Sequence, residues 1–139
     1  MRILGLDVGA KRVGVAVSDE LKITAQGLFT IERKSDEELL NKIEELVLNN
    51  DVKEIVVGLP LNMDGSYGEQ AKNAISFSDV LKEKFKLPVK LWDERMSTLE
   101  VERVMIDAGT SRKKRKKRID KLAAQVILQS YLNAQKYTT

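Results

Sequence analysis

Apolar residues fall in short runs over the first third of the chain and shift to helical spacing later. Ile3-Leu4-Gly5-Leu6-Asp7-Val8-Gly9 is an apolar run broken by one carboxylate, and Arg12-Val13-Gly14-Val15-Ala16-Val17-Ser18-Asp19 alternates bulky with small residues. These patterns predict strands over about 2–8 and 12–18, with a third over about 22–31. In the second strand Val13, Val15 and Val17 form one bulky face. Gly14, Ala16 and Ser18 leave the other face open to close approach by a helix or a ligand.

Ser35-Asp36-Glu37-Glu38 has the form of a capping box. The helix it opens carries an apolar stripe of Leu39, Leu40, Ile43, Leu46 and Val47. Glu54-Ile55-Val56-Val57-Gly58-Leu59-Pro60 reads as a buried strand that the proline ends. Asp64-Gly65 turns the chain into a long helix over about 66–85, with Tyr67, Ala71, Ala74, Ile75, Ser78, Leu81 and Phe85 near one face. Pro88-Val89-Lys90-Leu91-Trp92 is a fifth strand that runs into Asp93-Glu94-Arg95. Ser97-Thr98-Leu99-Glu100 is a second capping box, leading a helix that Gly109 closes. Ile119, Leu122, Ala123, Val126, Ile127 and Leu132 mark a last amphipathic helix.

Three consecutive strands, then helix, strand, helix, strand and two helices define an α/β chain. Short connections favour an antiparallel trio joined to two parallel strands through helical crossovers. The expectation is one domain over residues 1–139: a mixed five-stranded sheet with helices on both faces. No repeat or linker divides it.

Composition narrows the chemistry. The 139 residues include no histidine and no cysteine, which removes Ser-His-Asp and Cys-His catalysis, the usual zinc sites and disulfides. Any reaction falls to Asp, Glu, Lys, Arg, Ser, Thr or Tyr. Magnesium and manganese, which prefer oxygen ligands, suit that set. No membrane span or signal peptide is legible, and a cytoplasmic location is expected.

Asp7 stands at the carboxyl end of the first strand, where a charge beside packed apolar residues is costly unless it holds something positive. Asp93 and Glu94 end the fifth strand, and Asp120 is expected in the first turn of the last helix. Open sheets place their sites at the carboxyl ends of strands. Clustered carboxylates repel one another unless a cation lies between them. Two hard metals about 3.5–4 Å apart in such a set would activate water and stabilise a departing oxyanion in phosphodiester cleavage. Ser97 reads as a helix cap, Trp92 as core or groove edge, and Gly58 and Pro60 as shaping the strand exit. Asn62 and Asp64 are compatible with nucleic-acid contact and with a plain turn.

Four segments in order resemble the YqgF/RuvX family. They are Leu4-Gly5-Leu6-Asp7-Val8-Gly9 with Gly14-Val15-Ala16-Val17-Ser18-Asp19; Val57-Gly58-Leu59-Pro60 with Asp64-Gly65; Asp93-Glu94-Arg95-Met96-Ser97-Thr98; and Ile119-Asp120-Lys121-Leu122-Ala123-Ala124 followed by Ile127-Leu128-Gln129. The match runs from residue 3 to about 132. It implies a ribonuclease-H-like fold and metal-dependent nuclease activity, with acidic residues at Asp7, Glu94 and Asp120. Members are described both as nucleases processing the 5′ end of pre-16S ribosomal RNA and as Holliday junction resolvases. In the related junction resolvases the second carboxylate ends the strand beside strand one, whereas here that strand ends in Gly58-Leu59-Pro60. The second ligand is therefore expected from the next strand, as Glu94, with Asp93 as the alternative.

Arg112, Lys113, Lys114, Arg115, Lys116, Lys117 and Arg118 form an unbroken basic run. Without those seven charges the net charge of +3 becomes −4, so the chain is a mildly acidic body with one basic element. Self-repulsion predicts a mobile, solvated loop there. Its position just before Asp120 suggests a phosphate-binding flap, with Arg95 a further candidate phosphate contact.

The resulting expectation is a Mg2+- or Mn2+-dependent endonuclease, with two ions, acting on structured RNA or branched DNA as a monomer or homodimer. Ribosomal RNA precursor processing is favoured over junction resolution. A binding-only ribosome-assembly factor and an ATP-binding protein, suggested by Asp7-Val8-Gly9 and the hairpin after it, are the rivals from other classes.

Overall fold

The computed structural model describes residues 1–94 and 122–135 in full and the backbone of 112–121. The helix expected after Ser97, its end at Gly109, and Arg95 lie outside the described residues.

Strands β1 (Arg2–Val8), β2 (Arg12–Ser18) and β3 (Ala25–Glu32) follow one another, then α1 (Asp36–Asn49), β4 (Val52–Leu59), α2 (Glu69–Phe85), β5 (Val89–Asp93) and α3 (Arg112–Gln135). The sheet order is β3-β2-β1-β4-β5. β1–β2 and β2–β3 are antiparallel, while β1–β4 and β4–β5 are parallel. This is the expected mixed sheet, with β1 at its centre.

Alternation along the strands divides the core in two. Leu4, Leu6 and Val8 of β1, with Ile55 and Val57 of β4, meet Leu39 and Ile43 of α1 and Ala74, Phe77 and Leu81 of α2. On the other face Ile3, Ala16 and Val56 meet Ala124, Ile127, Leu128, Tyr131 and Leu132 of α3. The small face read from β2 is therefore a seat for α3. Gly5 extends it: a Cβ there would stand 2.8 Å from Leu128 Cβ and 3.4 Å from the Ala124 carbonyl. Glycine permits the helix to lie directly on the strand.

Ser35 caps α1 as read, its Oγ accepting the Glu38 N–H at 3.2 Å. The second helix begins at Glu69 instead of 66, which leaves Tyr67 outside it and exposed. A closed turn takes those residues first. Asp64 Oδ1 accepts from the Ser66 hydroxyl at 2.6 Å and from its N–H at 2.9 Å, and Asn62 N–H donates to the Ser66 carbonyl at 3.0 Å. Gly65 adopts φ 84°, the left-handed region that glycine tolerates.

The basic run departs most from expectation: Arg112–Arg118 are the first two turns of α3. Lysine and arginine are good helix formers, and each like-charge pair at i,i+4 costs only about 0.2–0.5 kcal/mol. The buried stripe from Ala123 to Leu132 anchors the helix, and propagation from an anchored helix is cheap. Asp120 consequently lies in the third turn, beyond the reach of the N-terminal dipole that favours acids in a first turn.

Candidate active site

Asp7 closes β1 on a face set by period two. Ile3 and Gly5 face α3, so Asp7, two residues beyond Gly5, shares that face. It pairs across the ladder with Gly14, which puts no side chain in its way.

The same rule separates Asp93 from Glu94. Leu91 packs with the α1/α2 core, whereas Trp92 packs with the α3 core. Asp93 follows the side of Leu91 and is exposed. Glu94 follows the side of Trp92, towards α3 and Asp7. Its N–H donates to the Leu59 carbonyl at 3.2 Å, which continues the β4–β5 ladder one residue and aims its side chain across β4. There it lies over Gly58, where a Cβ would collide with Glu94 Oε2 and approach Ile127 Cδ1 to 2.6 Å. Trp92 is braced beneath by its Nε1–H donating to Ser130 Oγ at 3.1 Å and by edge-to-face contact with Tyr131 at 5.4 Å.

Glu94 Oε2 is buried and has no hydrogen-bond partner among the described residues. Burial, then the charge of Asp7, then that of Asp93 push its carboxyl up from 4.5 to about 8. A proton is one way to relieve such a cluster, and a divalent cation is the other. An orphaned carboxylate oxygen beside a second carboxylate, with only oxygen donors at hand, fits a hard divalent ion. Among the described residues no group of three acids forms an ion site by itself.

Asp120 lies on the described backbone of α3. As β4 runs from Glu54 to Gly58, its partners on α3 run back from Tyr131, whose hydroxyl donates to Glu54, to Ile127. The helix therefore travels antiparallel to β1 and β4. Traced back from its contact with Gly5 at Leu128 and the Ala124 carbonyl, it carries Asp120 towards the same end of the sheet as Asp7. Arg112–Arg118 continue the helix beyond it.

Asp64, by contrast, is a turn residue. The Ser66 hydroxyl and then its N–H hold the Asp64 carboxyl below its usual range, as in any closed turn. What sequence reasoning missed was Gly58 as the floor under Glu94. The signal lay in the absence of a side chain at a strand end facing an acid.

A family model described as "RuvX: Holliday junction resolvase" matches residues 1–134. The chain belongs to the RuvX family. A protein of Halothermothrix orenii named "Putative pre-16S rRNA nuclease" is 56% identical over 135 residues, covering 97% of this chain and 96% of that one. One of the same name from Caldanaerobacter subterraneus is 54% identical over 137 residues, 98% of this chain and 99% of its own. Among solved structures, Thermus thermophilus RuvC in complex with Holliday junction substrate superposes with a TM-score of 0.60 at 16% identity, over 99% of this chain and 98% of that one. The Fowlpox virus resolvase, solved with Holliday junction DNA, gives 0.52 at 11% identity over 97% and 99%. These likenesses establish the ribonuclease-H-like fold. This RuvX protein is a hydrolytic nuclease with the general divalent-metal dependence of its family. No described helix is long and apolar enough to cross a membrane.

Proposed function

We propose that this RuvX protein is an endonuclease that trims the 5′ end of pre-16S ribosomal RNA, with Asp7, Glu94 and Asp120 as its acidic centre. The observation that carries the site is the buried oxygen of Glu94, without a hydrogen-bond partner among the described residues, facing Asp7 over Gly58. The substrate rests on relatives of 50–56% identity that match over nearly their whole length and bear that name.

Asp7 and Glu94 supply anionic oxygens from two strands, and Asp120 supplies the third from α3. Mg2+ or Mn2+, as a pair, would be held by these carboxylates, with Asp93 as a peripheral ligand. When bound, the ions supply Lewis-acid activation of water and charge neutralisation at the scissile phosphate. The carboxylates orient what binds between them. The apolar walls formed by Ala124 and Ile127 exclude bulk water from one side, which strengthens each electrostatic interaction. Arg95 and the seven basic residues of α3 (Arg112, Lys113, Lys114, Arg115, Lys116, Lys117 and Arg118) neutralise the substrate backbone. A cytoplasmic monomer suffices for this reaction.

Junction resolution by a homodimer is the second reading, favoured by the description of the family model. A labelled panel of four-way DNA junction, duplex DNA, single-stranded RNA and a ribosomal-precursor leader, incubated with Mn2+, separates the readings. Cleavage of the leader in preference to the junction is expected. Preference for the junction by a dimer would replace the RNA reading. Tight leader binding without cleavage would turn the protein into an assembly factor.

A further inference from the structure

Glycine ends β4 where the sheet faces α3, and the carboxylate in the space above it comes from the neighbouring strand. A methyl group on Gly58 would meet two atoms: Oε2 of Glu94, well inside contact distance, and Cδ1 of Ile127 at 2.6 Å. Both are far ends of flexible side chains, so the backbone has no need to move. Glu94 and Ile127 would swing aside instead. Glu94 is therefore held in place by a vacancy in the next strand, and β4 and β5 compete for one carboxylate position.

We infer that Gly58 is a positioning residue, the missing side chain that lets Glu94 reach across β4 towards Asp7. It follows that the acid can be moved from β5 to β4. An aspartate at position 58, the shortest carboxylate, would set its Cβ beside the point that Glu94 Oε2 now occupies, within reach of its own carboxyl oxygens. With Glu94 reduced to glycine, that aspartate faces Asp7 from the same side of the sheet. This inference rests on the divalent-ion reading of the site, and its test separates the two.

The probe is Mn2+ alone, followed by electron paramagnetic resonance and by the Mn2+-induced rise in Tm, with Tm in EDTA as the metal-free reference. Gly58→Ala is expected to keep its fold by circular dichroism and to weaken Mn2+ binding about 10- to 100-fold, the usual loss when a ligand's support is disturbed. Ile127→Val removes Cδ1, so Gly58→Ala/Ile127→Val leaves only the conflict with Glu94 and should bind as weakly. In EDTA, adding Gly58→Ala to Ile127→Val should lower Tm in the Glu94 protein and not in a Glu94→Gly background. Gly58→Asp/Glu94→Gly should recover most of the Mn2+ affinity that Glu94→Gly loses. Wild-type affinity in Gly58→Ala/Ile127→Val would overturn the role of Gly58, as would a folded swap variant that fails to regain Mn2+. Absence of Mn2+ binding by the wild type would overturn the ion reading, and the inference with it.

Discussion

Glu94 and Asp7 are both carboxylates, and bringing two of them together away from water raises the energy of their ionised forms. Glu94 is pushed up to about 8 by burial and by the charges of Asp7 and Asp93, against 4.5 in the unfolded chain. A carboxyl whose folded value is raised contributes stability that is complete below about 4.5 and is lost as pH rises through about 8. In EDTA, Tm should therefore fall between pH 5 and 8 by more in the wild type than in Glu94→Gln, where the titration is gone. Saturating Mn2+ should flatten the slope. Equal slopes for the two proteins in EDTA would contradict the account. Asp7 was legible because a lone acid in an apolar strand needs a reason. The choice between Asp93 and Glu94 was also available, since Leu91 and Trp92 belong to opposite faces. Gly58 was not, because its conflict with Glu94 exists only once two strands lie side by side.

At the scale of elements, the site depends on how closely α3 approaches the sheet. Gly5 permits that approach, because Leu128 Cβ would stand 2.8 Å from any Cβ there. Replacing a strand glycine by alanine ordinarily helps stability by lowering the entropy of the unfolded chain. Here overpacking against a Cβ, which no rotamer change can move, should win. Gly5→Ala is expected to cost about 1–3 kcal/mol by urea denaturation, and a stabilised variant would show α3 to be loosely seated. Five strands, an antiparallel trio joined to two parallel strands, and the cap at Ser35 could be read from periodicity, connection length and capping chemistry. The start of α2 could not, because Asp64 and Asn62 close a side-chain turn that competes with the first helical residues. The helical state of Arg112–Arg118 was hidden for a different reason. Charge repulsion is visible locally, whereas the anchoring of α3 on the sheet is a tertiary effect.

For the whole molecule, charge separation is the dominant feature. Seven positive residues occupy one end of α3 while the remainder of the chain carries −4. The helix spaces these seven residues over about 10 Å of its axis, in sequence just before Asp120. If they neutralise about five phosphates of a duplex, log affinity should fall with log salt at a slope of about −4.5. Substituting Lys113, Lys114, Lys116 and Lys117 by Gln should flatten that slope while leaving Mn2+ affinity unchanged. An unchanged slope would mean that the substrate is held elsewhere. Whether the paired acids at the ends of β1 and β5 form a divalent-ion nuclease centre is decided by single-turnover cleavage of the preferred panel substrate. Wild type and an identically purified Asp7→Asn would be compared with and without Mn2+. Cleavage is expected from the wild type only when Mn2+ is present, with a loss in Asp7→Asn of at least about 100-fold while binding and fold are retained. Equal cleavage by both proteins would contradict that assignment.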